Sequence, residues 1–354
     1  MVQSVVSYEE VPCSFLKEVK MARQVSLVML VAAVLFFVSV PAFAAEEGVD
    51  DAVKTLSAAL SESQSDSASV ELLKDFLVDY PDTKYTPAVL SAIAYYQGES
   101  MGDRDGAISF VRKHIDVLQD ADHIRASKVV LAELYDKPED RARLEPLARE
   151  LVEAGGLSFN QYSSLITTAL GAEDWKLALD VISPALATAS PESVRADYPG
   201  TPDERVEERS RGRMVDLDVY KGWALANTGD AAQAFELFKS AQDRSDFDYF
   251  GLPDGMLYVY WGKALQQEGD LDAALAKLLP MALWGGSNSA VEAVKAIYES
   301  RGGDPADFED YLFKERLATA KTMDSFSAAD YNDNLQRSKD LMGKVTLVAF
   351  WFPT

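Results

Sequence analysis

The sequence predicts a mainly α-helical chain: an antiparallel helix-hairpin solenoid with a short β segment near its C-terminal end. Three observations point there. A phrase in which a small residue and a leucine precede Gly-Asp, followed by Ala and a bulky apolar residue four apart, occurs twice at a forty-residue offset. Weaker copies of its turn recur upstream, at offsets of 35 and 36 residues. Beyond Thr322 the pattern changes, and Val345 to Phe352 is apolar apart from Thr346 and rich in β-formers, as in a strand buried on both faces.

Composition sets the outer bounds. The chain has 354 residues, 48% hydrophobic and 26% charged, an ordinary globular balance. Lys plus Arg number 34 against 57 Asp plus Glu, for a net charge of -23. That balance argues against a phosphate backbone as partner, since such binding needs clustered cations. It argues equally against an anionic membrane surface. One cysteine, Cys13, and two histidines, His114 and His123, exclude a disulfide scaffold and leave a Cys/His zinc site short of ligands. No cofactor and no catalytic residue is expected.

The first element is an export signal. Met21-Ala22-Arg23-Gln24 precedes the apolar run Val25 to Val40, which ends in Pro41-Ala42-Phe43-Ala44. A basic start, an apolar core and an A-x-A site make a cleaved signal peptide over 21–44, and the run is short for a membrane span. A periplasmic or otherwise exported product without stable membrane insertion is expected. Residues 1–20 then read as a start-site extension, with Met21 the true start. Residues 1–44 hold three basic and three acidic groups, so the mature chain keeps the full acidic charge and loses Cys13.

Helical hairpins are expected over 45–300. Phe76 to Tyr85 reads as a helix end, a Pro turn and a helix start. Gly102-Asp103 leads to Ala107 and Val111, Lys137-Pro138 to Ala142, and Glu173-Asp174 to Ala178, Ile182 and Ala185. Residues 191–213, rich in Pro, Glu and Arg, read as an irregular insertion. The first clear copy then runs from Lys221 through Gly229-Asp230 to Ala234, Phe238 and Ala241. The second runs from Trp261 through Gly269-Asp270 to Ala274, Leu278 and Met281. Gly at the turn permits a positive φ, Asp caps the next helix, and Ala lets helices approach closely. Asp243 to Gly255 lengthens one connection, Gly285-Gly286 and Gly302-Gly303 mark the end of the repeats, and 301–323 is a helical connector.

These residues resemble the tetratricopeptide repeat, whose pattern places Gly, Ala, a large apolar residue and Ala at these offsets. The resemblance implies five or six helix hairpins that bind a protein or peptide on the concave face lined by the first helices. Carried over by position, that face exposes Asp216, Trp223 and Asn227 in one copy and Lys263, Gln266 and Gln267 in the next. A clamp for a peptide carboxylate wants Lys and Asn concentrated there; one Lys and one Asp favour a neutral or mildly basic segment instead.

Residues 324–354 resemble the entry to a thioredoxin-like redoxin domain, especially of periplasmic members. Leu341-Met342-Gly343-Lys344 matches its launching turn, Phe350-Trp351 the end of its central strand, and Pro353-Thr354 the approach to a Cys-x-x-Cys. That motif does not follow, so the domain is read as incomplete and the supplied chain as catalytically silent. A shortened chain, a frameshift and a fragment all remain open as reasons. The resemblance implies a parent protein that is a periplasmic thiol–disulfide oxidoreductase or antioxidant. The alternative is a non-enzymatic scaffold or adaptor of the cell envelope.

The remaining constellations have plain explanations. Asp243, Asp246 and Asp248, like Asp216 and Asp218, read as solvated acids rather than a calcium loop. His114 is expected to be partly buried and satisfied. Tyr95, Tyr96, Tyr258, Tyr260 and Trp261 are expected to pack mostly between hairpins.

Overall fold

The computed structural model describes residues 48–245, 255–284, 287–319, 327–329 and 335–337. The chain is mainly helical. Among the described residues the helices fall into seven successive pairs. They are α1 (Val49–Glu62) with α2 (Asp66–Asp79), α3 (Thr86–Ile93) with α4 (Arg104–Ile115), and α5 (Ala121–Glu133) with α6 (Arg141–Ala154). Next come α7 (Phe159–Gly171) with α8 (Trp175–Ala185), the short α9 (Pro191–Asp197), and the long α10 (Asp203–Asn227) with α11 (Ala231–Arg244). The last pairs are α12 (Gly255–Gln267) with α13 (Leu271–Leu283) and α14 (Asn288–Ser300) with α15 (Phe308–Thr319). A π-helical segment, Ala94–Ser100, prolongs α3.

Packing follows chain order. The first helices touch one another in sequence, α3 to α5, α5 to α7, α7 to α10, α10 to α12 and α12 to α14, forming one layer. Each second helix from α4 to α13 packs on the first helix of the following pair. Burial is therefore shared between neighbours, and no pair covers its own apolar face alone.

The turns explain why each helix stops and the next begins. Gly229 and Gly269 have φ of 92° and 82°, a left-handed conformation that a side chain disfavours. Asp230 and Asp270 then accept the backbone N–H of Gln233 and Ala273, capping α11 and α13. Asp103 and Asp174 do the same for Gly106 and Leu177. At the Glu173 turn a non-glycine residue takes φ 54°, which is why that copy is harder to read from the sequence.

The two clear copies make the same interior contact. Ala234, Phe238 and Ala241 are fully buried, as are Ala274, Leu278 and Met281, and burying each bulky side chain contributes about 1.5–3 kcal/mol. Phe238 lies against Gly222 and Leu278 against Gly262, so closely that a Cβ on either glycine would meet them at 2.8 and 2.5 Å. Upstream, Ala107, Val111, Ala178, Ile182 and Ala185 are buried as expected.

Two expectations are corrected. The stretch 191–213 is helical, not irregular: it contains α9 and the first turns of α10. Pro191 occupies the first turn of α9 behind the Ser190 cap, and Pro202 immediately precedes α10, so both prolines start helices. The missing apolar face is supplied by a charged residue. Arg213 is 6% exposed, lies over the Phe159 ring, pairs with Asp197 at 2.6 Å and donates to the Thr188 carbonyl at 2.7 Å. The second correction is one of phase. A short 3₁₀ turn, Pro138–Asp140, precedes α6, so Leu144 and Ala148 are the buried positions while Ala142 is exposed.

Ser327–Ala329 and Leu335–Arg337 pair as two three-residue antiparallel strands. The signal segment, Asp246 to Asp254, Gly285-Gly286 and the redoxin-like phrase Leu341 to Thr354 lie outside the described residues. Among the described residues, no helix is long and apolar enough to cross a membrane.

Candidate functional site

Three of the six residues expected on the partner face, Trp223, Asn227 and Gln267, are brought together by the layer of first helices. Trp223 of α10 stacks flat on Tyr260 of α12, with ring centroids 5.1 Å apart and 3° between planes. Trp175, the first residue of α8, meets Trp223 edge-on at 6.0 Å and 83°. Three aromatic rings thus form a row across two first helices and the start of a second one. Offset and edge-to-face contacts of this kind contribute about 0.5–1.5 kcal/mol each beyond burial. One turn after Trp223, the Asn227 amide donates to the Trp223 carbonyl at 2.8 Å and accepts from the Gln267 amide at 3.0 Å. The amide pair therefore repeats, one turn on, the link between α10 and α12 that the rings make.

The other expected residues lie beside this row. Lys263 donates to the Ser289 hydroxyl of α14. Burial pushes its ammonium below the usual lysine range, partly offset by Glu292. Gln266 is half-buried, and its side chain makes no hydrogen bond among the described residues. Asp216 is half-buried on α10, three turns before Asn227. Tyr260 is half-buried and its phenol is raised above the usual tyrosine range by burial.

The layer continues toward α5. Ser163 of α7 and the Tyr220 hydroxyl of α10 are hydrogen-bonded at 3.1 Å, and Tyr220 lies one turn before Trp223. Next to Ser163, the Ser164 side chain lowers the carboxyl of Glu133 at the C-terminal end of α5. Glu133 is part-buried between the buried residues Leu131, Ala132, Leu134 and Tyr135. Burial raises its carboxyl above the usual range and the nearby Glu99 raises it further, while Ser164 works against both. Trp175, Glu99 and Glu133 were not expected on this face. Trp175 could have been found as the residue directly after a turn Asp. Glu133 carries no local signal, because its surroundings are set by a helix thirty residues later.

The aromatic residues of α12 divide between the two sides. Trp261 stacks on Phe238 at 6.0 Å, and Lys277 of α13 sits 3.6 Å above the Trp261 ring centroid and 4.7 Å above that of Tyr258. Gln242 joins them, donating to the Tyr258 hydroxyl at 2.8 Å. Trp261 and Tyr258 are thus packed between hairpins, as expected, whereas Tyr260 belongs to the aromatic row.

The acidic and histidine constellations are structural where described. Asp218 is paired with Arg244. His114 is hydrogen-bonded to the Pro81 carbonyl at 2.7 Å and stacks on Phe110. His123 meets Asp82 at 2.6 Å, and Asp82 also accepts the backbone N–H of Gln119 and Asp120. Among the described residues no group of three His, Cys, Asp or Glu side chains is placed to hold a metal ion.

The arrangement sets rings, amides and hydroxyls of neighbouring helices side by side. No family model matches the chain, and no curated protein matches it.

Proposed function

We propose that the helical array is a partner-binding module of the tetratricopeptide kind, docking a protein or peptide segment across its layer of first helices. The observation that carries this reading is the row Trp175–Trp223–Tyr260 with its Asn227–Gln267 bridge, whose two amides stand at equivalent positions of consecutive pairs. Aromatic faces and amides on a rigid scaffold suit an extended segment, which offers apolar side chains and unpaired backbone groups. The recurring contact of Gly222 with Phe238 and of Gly262 with Leu278 supports the repeat assignment.

The wider setting is part of the same proposal. Export rests on Met21 to Ala44, and the link to a redoxin rests on Leu341 to Thr354. In that setting the array would bring a partner to a thiol–disulfide or peroxide-reducing centre of the parent protein. Without it, the array is a scaffold in its own right. A Cys-x-x-Cys encoded within about ten codons beyond Thr354 favours the first setting, and its absence there favours the second.

The docking face is tested by placing a photo-reactive amino acid at Gln267 on the first-helix layer, or at exposed Lys239 on α11, and irradiating cell-envelope extracts. Discrete adducts at Gln267 and none at Lys239 are expected. Equal adducts at both positions, or adducts at Lys239 alone, would remove the assignment of the face.

A further inference from the structure

A cleft built on two second helices, α4 and α6, stands apart from the docking face. Its volume is about 390 Å³, at the small end of the range for small-molecule sites. One wall follows α4 at helical spacing, from Asp105 through Ser109 and Arg112 to Asp116, with Ile108 and Lys113 alongside. Arg143, in the first turn of α6, completes the lining.

Three cations therefore meet in the cleft, and they are not neutralised as their neighbours are. Arg104, Arg125, Arg141 and Arg149, the other arginines of α4, α5 and α6, each pair with a carboxylate. Arg112 instead donates to the phenol oxygen of Tyr135 at 2.5 Å, and among the described residues neither Arg112 nor Lys113 forms an ion pair. Tyr135 is buried, so it is a fixed anchor that orients the guanidinium and leaves the other N–H donors for a ligand. Arg143 reaches only Asp140, at 3.5 Å, and that carboxylate already has Arg104 at 2.5 Å. The dipole of α4 favours cations in its last turn, but that of α6 disfavours one in its first. The helices' own fields thus leave Arg143 unexplained. In a chain with 34 Lys plus Arg against 57 Asp plus Glu, three cations short of carboxylates mark a place for an anion from outside.

The two carboxylates of the lining limit what that anion can be. Asp105 and Asp116 stand about 16 Å apart along α4 at 1.5 Å per residue, and each repels an anion lying over it. We infer that the cleft binds a compact oxyanion, the phosphate or carboxylate group of a small molecule, between Arg112, Lys113 and Arg143. The Ser109 hydroxyl is a further donor, and Ile108 offers an apolar surface to the rest of the ligand. Planar guanidinium groups match the paired oxygens of either group. A long polyanion would run onto Asp105 and Asp116.

The test is isothermal titration calorimetry of the full chain with phenyl phosphate, benzoate and a long-chain linear polyphosphate at one low ionic strength. Saturable one-site binding of phenyl phosphate or benzoate is expected, and the tighter of the two names the oxyanion. Arg112→Gln and Arg143→Gln should each weaken it by about tenfold, and Lys113→Gln by less. Arg149→Gln should leave it unchanged, because that guanidinium is committed to Glu145 and Asp180. Circular dichroism checks the fold of Arg112→Gln, which gives up the Tyr135 contact. Arg143 is exposed, so Arg143→Gln carries the test if Arg112→Gln does not fold.

Failure of both phenyl phosphate and benzoate to bind overturns the inference. Binding that Arg143→Gln leaves unchanged overturns it as well. Polyphosphate binding tighter than either small anion contradicts the limit set by Asp105 and Asp116, and with it the compact ligand. Each of these results leaves the docking face on the first-helix layer untouched.

Discussion

Alanine substitutions at three helical glycines should separate in sign according to what each Cβ meets. In α10, a Cβ on Gly212 has nothing within 4 Å, whereas one on Gly222 meets the Phe238 ring at 2.8 and 3.1 Å. In α12, a Cβ on Gly262 meets three Leu278 side-chain carbons between 2.5 and 3.2 Å. Carbon–carbon contacts prefer about 3.5–4.0 Å, so the Leu278 contact demands a shift of about 1 Å and the Phe238 contact somewhat less. Both bulky side chains are fully buried, which leaves them little room to yield. Overpacking of this kind costs about 1–3 kcal/mol, while Gly→Ala inside a helix returns about 1 kcal/mol. Gly212→Ala should therefore stabilise by about 0.5–1 kcal/mol, and Gly262→Ala should destabilise by about 1–2 kcal/mol. Gly222→Ala should fall between them, on the destabilising side.

Urea unfolding followed by far-UV circular dichroism reads these as opposite shifts of midpoint at unchanged slope. Adding Leu278→Ala to Gly262→Ala should cost less than the sum of the single changes by at least about 0.5 kcal/mol, since the Leu278 carbons that a Cβ at 262 would meet are removed. If all three alanines stabilise equally, the spacing of helix pairs is not set by a glycine against a bulky residue, and the reasoning fails.

Further expectations follow from the caps, the buried cation and an acid pair. Asp230→Ala and Asp270→Ala each lose a helix cap and should cost about 1 kcal/mol in the same urea assay. Asp197→Asn strands the buried Arg213 guanidinium and should cost about 3 kcal/mol. Asp203→Asn breaks only the exposed pair with Arg195 and should cost less than about 1 kcal/mol. Burial raises the Asp82 carboxyl, but hydrogen bonds from His123, Gln119 and Asp120 outweigh it and hold it below the ordinary value of 3.8. Its contribution to stability is therefore complete above that value and disappears as pH falls through the lower folded value. Acid titration of unfolding stability should show wild type and Asp82→Asn converging in that range and separated above it.

The repeats were legible where local chemistry alone decides the outcome. Gly229-Asp230 and Gly269-Asp270 carry both a left-handed turn and a cap in two adjacent letters, and the buried positions after them follow by periodicity. The Glu173 turn was fainter because a glutamate takes the glycine's conformation. The α6 register slipped because a 3₁₀ turn adds residues that periodicity does not count. The first turns of α10, over 203–213, were hidden because Arg213 fills an interior position that a pattern of apolar letters leaves blank. For the site, Trp223, Asn227 and Gln267 could be placed by repeat offset. Their stacking and bridging depend on the spacing between helices, and Glu133 depends on Ser164 and Glu99, contacts separated by about thirty residues in the chain.

The central claim is that a protein or peptide segment docks on the first-helix layer. It is tested most directly by fluorine NMR of the chain labelled with 5-fluorotryptophan, each resonance being assigned by a Trp→Phe variant. Trp175 and Trp223 belong to the aromatic row, Trp261 is packed beneath Lys277, and Trp284 is exposed near Arg316 of α15. On adding an extended, leucine-bearing peptide of about nine residues, saturable shifts are expected at Trp175 and Trp223, with Trp261 and Trp284 unmoved. Shifts confined to Trp261 or Trp284 would place the segment elsewhere and contradict it.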